Sequence, residues 1–88
     1  MMTGEIKVPR MAKHQRNKVL TTLLIKNKKC KECYDLVVKL LGSEIKADKW
    51  FVVDHPMFGN ISVVEMFLLG RGHKVLEFVK DRIAGDIP

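Results

Sequence analysis

Acidic residues are nearly missing from the start of this chain. Positions 1–31 hold nine Lys or Arg against a single acid, whereas positions 32–88 hold seven against nine. The charge is thus a basic leader ahead of a near-neutral domain, and such a leader suits nucleic acid, an acidic protein surface or plain solvent. Long apolar runs are lacking too, and none reaches the length of a membrane-spanning helix. Val19 to Ile25 is short, broken by Thr21 and Thr22, and followed by Lys26-Asn27-Lys28-Lys29 in place of a small-residue cleavage site, so it is not a secretory signal. With no export signal and only two cysteines, the expected compartment is a reducing cytoplasm. Period-two alternation, internal repeats and low-complexity tracts are absent, which leaves little case for a sheet or a repeat array. Eighty-eight residues then allow one domain with a modest core.

What the chain does have is helical periodicity. Residues 1–11 contain Gly4 and Pro9 without an apolar period and read as a flexible basic N-terminus; residues 12–88 read as a helical domain. Val19, Leu20, Leu23 and Leu24 form one apolar stripe, with a break expected at Asn27 to Lys29. Cys30, Cys33, Tyr34, Val37, Val38 and Leu41 then recur at helical spacing over about three turns. Gly42 stops that helix and Ser43 caps the next, on which Ala47, Trp50 and Phe51 face inward while Lys46 and Lys49 face water. His55-Pro56 ends it, because the residue before a proline is pushed out of the helical region.

The last third carries the densest local grammar. Gly59-Asn60 supplies a turn, and Ser62 with Glu65 three positions on makes a capping box. Ile61 and Met66 fall where a hydrophobic staple closes around that start. Val63 to Leu69 is apolar nearly all round, so this short helix should lie deepest. Gly70 and Gly72 bracket a break. Val75, Leu76, Val79 and Ile83 then mark the inner face of a last helix, with Phe78 beside them and Lys74, Glu77, Lys80, Asp81 and Arg82 outward. Gly85 falls where a left-handed C-cap is expected. The expected fold is all-α, a small bundle of about five helices with a C-terminal helical hairpin.

Few of these residues converge on chemistry. Cys30-x-x-Cys33 lacks the further ligands of a structural zinc site, and His14, His55 and His73 are scattered without forming a ligand pair. Both cysteines fit the apolar stripe, so they read as core and no metal is expected. His55 and His73 read as capping or surface histidines, since no spacing places a nucleophile beside either. Gly70-Arg71-Gly72-His73 lacks the strand and the Gly-Lys-Ser/Thr ending of a phosphate loop. No enzyme signature emerges and no cofactor is expected. Lys13, Arg16, Lys18, Lys26, Lys28 and Lys29 are the candidates for phosphate contact. With no base-reading helix pair, such binding would be weak, nonspecific and salt-dependent. A small basic nucleic-acid-associated protein using residues 7–31 is therefore the alternative functional reading.

An ordered series of residues points elsewhere. Tyr34, Leu41-Gly42-Ser43-Glu44, Ala47, Trp50, His55-Pro56, Phe58-Gly59, Ser62, Glu65, Leu68, Gly70-x-Gly72, Val75, Ile83 and Gly85 resemble the Xre/MbcA/ParS-type toxin-binding domain. That is the antitoxin domain of bacterial toxin–antitoxin pairs whose toxins have the RES fold. The resemblance covers about residues 30–86, with Trp50, Pro56, Gly59, Ser62 and Glu65 as its structural motif. Val63 departs from the family, which often has proline after the capping serine. The residues before position 30 are also too few for the helix-turn-helix domain of full-length members, so DNA binding is expected to be weak or absent. The resemblance implies a non-enzymatic inhibitor that binds an NAD-consuming toxin and blocks its active site. The implied partner-binding residues are Gly70, Arg71, Gly72, His73, Lys74, Arg82, Gly85 and Asp86. It further implies a homodimer, for which Leu20, Leu23 and Leu24 are the candidate interface.

Overall fold

A computed structural model describes residues 11–85; the basic N-terminus expected at 1–11, apart from Met11, lies outside the described residues, as does Asp86. Five α-helices follow in chain order: α1 (Lys13–Lys26), α2 (Lys28–Leu41), α3 (Glu44–Val52), α4 (Val63–Leu68) and α5 (Gly72–Gly85). Between α3 and α4 sit two two-residue strands, β1 (Asp54–His55) and β2 (Ile61–Ser62), and a single 3-10 turn, Pro56–Phe58. The fold is a small all-α bundle.

Local chemistry explains most of the boundaries. The break between α1 and α2 narrows to Asn27, whose side chain accepts from the Cys30 amide at 3.0 Å and so caps α2. Gly42 ends α2 in the left-handed region at φ 88°, where a Cβ would be strained. Ser43 caps α3 by accepting from the Lys46 amide at 3.1 Å. Ser62 accepts from the Glu65 amide at 3.2 Å while Glu65 Oε1 accepts from the Ser62 amide at 2.9 Å, so the capping box of α4 is complete. Gly85 differs from expectation. It is the last residue of α5 and its φ is not positive, so no left-handed cap forms there.

The strands had no signal in the alternation pattern, because two residues apiece cannot show a period. They arise from the turn instead. Gly59 at φ 82° and Asn60 at φ 63° reverse the chain, and the Asn60 amide donates to His55 O at 3.0 Å. Antiparallel pairs of His55 with Ile61 and Asp54 with Ser62 result.

Packing places α5 chiefly along α2. The two run in the same direction: Lys29 and His73 share a cleft near their starts, and Leu41 and Arg82 share another near their ends. Lys80 Nζ also reaches Glu32 Oε2 at 3.2 Å across this contact. The core gathers the expected stripes: Cys30, Cys33 and Val37 from α2, Ala47 and Phe51 from α3, Val75 and Val79 from α5. Helix α4 is the deepest element, with Val63 through Phe67 all buried. On α1, however, Leu20 is buried and Leu23 and Leu24 are partly covered by the core. The stripe expected to form a dimer interface is thus largely spent inside the chain; Ile25 and Ile45 are the large apolar side chains left exposed on α1 and α3.

Candidate partner-binding groove

Aromatic side chains run from the core out to one surface. Phe51, fully buried, stacks on Phe67 with centroids 6.5 Å apart and touches Trp50 at 5.6 Å. Trp50 meets the His55 ring at 4.9 Å, His55 meets Phe58 at 5.7 Å, and Phe58 meets Phe78 of α5 at 5.7 Å. Such tilted and edge-on pairs add specific stabilisation to the area they bury. The Pro56–Phe58 turn is what brings Phe58 into this line. Pro56 starts it with a fixed φ, and Gly59 closes it by donating its backbone N–H to Pro56 O at 3.1 Å.

His55 sits at the N-cap position of the Pro56–Phe58 turn, but its side chain makes no capping bond and it is not a surface histidine. Its ring is buried, and Nε2 lies 2.7 Å from the Trp50 carbonyl, a bond in which the ring N–H must donate because a carbonyl only accepts. This bond ties Trp50 to the turn. His73, by contrast, is exposed.

The aromatic line ends in a groove between α2, the Pro56–Phe58 turn and α5. Its floor is aliphatic, from Val37, Leu40, Leu41 and Val79. Trp50, Met57 and Phe78 form its walls and Arg82 its rim, enclosing about 330 Å³. Met57 is 53% exposed, a large apolar side chain held open to solvent. Past the ridge of Met57 and Phe78 lies a second hollow of about 470 Å³, bounded by Arg71 and Lys74. Lys74, Phe78 and Arg82 stand at i, i+4 and i+8 on α5, so one helical stripe places an aromatic between two cations.

The residues implied as partner-binding are split by the fold. Arg82 lines the groove itself, while Arg71 and Lys74 line the second hollow across the ridge. Gly70, Gly72 and His73 face another way, into a small cleft with Asn27 and Lys29. Gly72 is a packing residue, since a Cβ built on it would fall on the Phe67 ring. Gly85 is exposed and lines neither half of the groove.

The basic leader is dispersed as well. Arg16 belongs to the interior: Nη1 donates to Val52 O at 2.6 Å and lies 3.3 Å from Asp54 Oδ1, while Nη2 is 3.9 Å from Glu65 Oε1. It cannot serve as a phosphate contact. Its position explains this, because Arg16 precedes Leu20 by four and Leu23 by seven and so lies on the core-facing stripe of α1. Val52 is the last residue of α3, whose terminal carbonyls lack helical partners and draw a cation. Glu65 is fully buried, and its Oε1 also accepts from Ser62 Oγ at 2.9 Å. This ionic cluster was not anticipated. Its signal was one cation in an apolar stripe and one carboxylate in an apolar run. Lys13 lines a cleft between α1 and α3, together with Asp48 and Lys49, while Lys28 and Lys29 lie at the α1–α2 junction. Lys13, Lys18 and Lys26 point to different sides of α1 at about 100° per residue, so they make no single stripe.

Cys30 and Cys33 are buried, as their stripe requires. Burial pushes both thiols from 9.0 up to about 12, with Cys30 and Glu32 adding to the shift at Cys33. Burial, and next the bond its hydroxyl donates to Asp48 at 2.6 Å, hold Tyr34 well above the usual phenol range. Among the described residues no group of three His, Cys, Asp or Glu is placed to hold a metal ion. No described helix is long and apolar enough to cross a membrane.

Fold and groove together define a small all-α domain with an open apolar surface rimmed by cations. The chain matches no protein-family model, no curated protein and no solved structure.

Proposed function

We propose that this chain is an antitoxin-type protein of a bacterial toxin–antitoxin pair. It binds a RES-fold, NAD-consuming toxin and occludes that toxin's active site, with no catalysis and no cofactor of its own. The reading starts from the resemblance across residues 30–86. The observation that carries it is the groove, where half-buried Trp50 and Phe78 stand beside Arg82, with Arg71 and Lys74 in the hollow across the Phe78 ridge. Aromatics and arginine around a partly desolvated pocket are the composition of protein-binding hot spots. The motif residues contribute indirectly: Pro56 and Gly59 shape the turn that carries Met57, and Ser62 with Glu65 caps the helix beneath it. On this reading the protein works in the cytoplasm, as a homodimer, and binds DNA weakly or not at all.

The test is co-expression of a RES-type toxin encoded beside this chain, with growth and cellular NAD followed in bacteria. Rescue of both by this chain is the expected result. Toxicity that persists while the chain is present in folded form would reject the reading.

A further inference from the structure

We propose that the groove takes a segment of a partner protein in which one bulky apolar side chain is flanked by carboxylates. The inference rests on reading the chain as a protein-binding module and names the chemistry of what it binds. The aliphatic floor and the Trp50 wall enclose about 330 Å³, room for one large side chain and too little for a helix. Arg82 stands at its rim, Arg71 and Lys74 bound the adjoining hollow across the Met57–Phe78 ridge, and among the described residues no carboxylate lines either half of the groove. The acids of α5, Glu77 and Asp81, line neither hollow.

Charge complementarity decides among the occupants. A second copy docking groove to groove would set the three cations near their own counterparts, which disfavours a symmetric contact. A nucleic acid would satisfy the cations but not the floor, because bases stack on aromatic faces and gain little from Val37, Leu40, Leu41 and Val79. An acidic segment with an apolar anchor satisfies both. The anchor displaces water from the floor, and its neighbouring carboxylates meet Arg71, Lys74 and Arg82.

Trp50 is the chain's only tryptophan and forms a wall of the groove, so its emission reports occupancy directly. The probe is a short synthetic peptide with a central Leu-Phe pair between Asp and Glu residues, titrated into the whole chain. A second peptide replaces the acids by Lys, and a single-stranded DNA oligonucleotide is the third ligand. The expected result is a saturable blue shift with the acidic peptide, at least about tenfold tighter than with its Lys counterpart and weakened by salt. Lys74→Glu with Arg82→Glu, both at exposed positions, should reverse that preference while the helical circular dichroism stays unchanged. Equal binding of the two peptides, no saturable change with the acidic one, or tighter binding of the oligonucleotide would overturn the proposal. The same double variant in the co-expression assay separates the two readings. Rescue that survives K74E/R82E removes the groove but leaves the antitoxin function. Peptide binding without any rescue by the unaltered chain does the reverse.

Discussion

The two sides of this molecule treat charge and apolar surface in opposite ways. Towards α1 the protein takes ions inside: Arg16 and Glu65 are buried near each other, with Asp54, Ser62 and the end of α3 as further partners. Towards α5 it leaves apolar surface open, with Met57 and Leu40 exposed and cations standing around them. The α1 side is the more basic stretch of chain, yet its arginine is consumed by the interior and its lysines are scattered. Residues 32–88 are net acidic by count, yet three of their cations, Arg71, Lys74 and Arg82, line two adjoining hollows. Charge density along a chain is thus a poor guide to where charge gathers on its surface. The closed side should govern stability and the open side binding.

The sharpest test of the closed side is thiol reactivity. With both thiols near 12 instead of 9.0, the thiolate fraction at pH 8 falls by about a thousandfold, so native Cys30 and Cys33 should label at least that much more slowly than in urea. The same shifts set a pH dependence. The folded chain keeps protons that the unfolded chain loses above about 9, so stability is whole below that pH and declines as pH rises towards 12. Tyr34, raised in the same direction, adds to the decline. Alkaline urea titrations check it, and a flat profile would contradict the burial. Next, Arg16→Ala should cost about 3–5 kcal/mol, because it strands Glu65 as a buried, uncompensated charge. A loss below about 1 kcal/mol would mean that Arg16 is an ordinary surface cation.

Smaller effects follow at the turn between the two sides. Gly72→Ala should cost about 1–3 kcal/mol by pressing a methyl group on Phe67, measurable as a lower urea midpoint. Smallest of all, Arg82→Ala should change stability by no more than about 0.5 kcal/mol, since the side chain is exposed and no salt bridge holds it among the described residues. If Arg82→Ala destabilises the fold as much as Arg16→Ala, the division between a structural side and a binding side is lost.

Much of the fold was legible residue by residue. Asn27, Gly42 and the pairs of Ser43 with Lys46 and Ser62 with Glu65 act within a few positions, and periodicity placed Cys30, Cys33, Val37, Val75 and Val79 in the core. The site was legible only in part. Of the expected partner-binding residues, Arg71, Lys74 and Arg82 line two adjoining hollows, but Gly70, Gly72 and His73 line a separate cleft. At helical spacing, residues one or two apart point to different faces, and a turn's exit direction depends on what it packs against. His55 was misjudged for a similar reason. Its place before Pro56 defines its backbone, whereas its ring is claimed by Trp50 and Phe58.

The helices, their caps and their apolar faces follow from local residue order, because they depend on contacts within about one or two turns of chain. Tertiary structure alone decided that Arg16 is buried, that β1 and β2 pair, and that Met57 and Phe78 share a ridge with cations on either side. Each of those facts needs groups from elements distant in sequence to arrive at one place. Only the packing of α2, α3 and α5 fixes which side chains remain open once the core is filled.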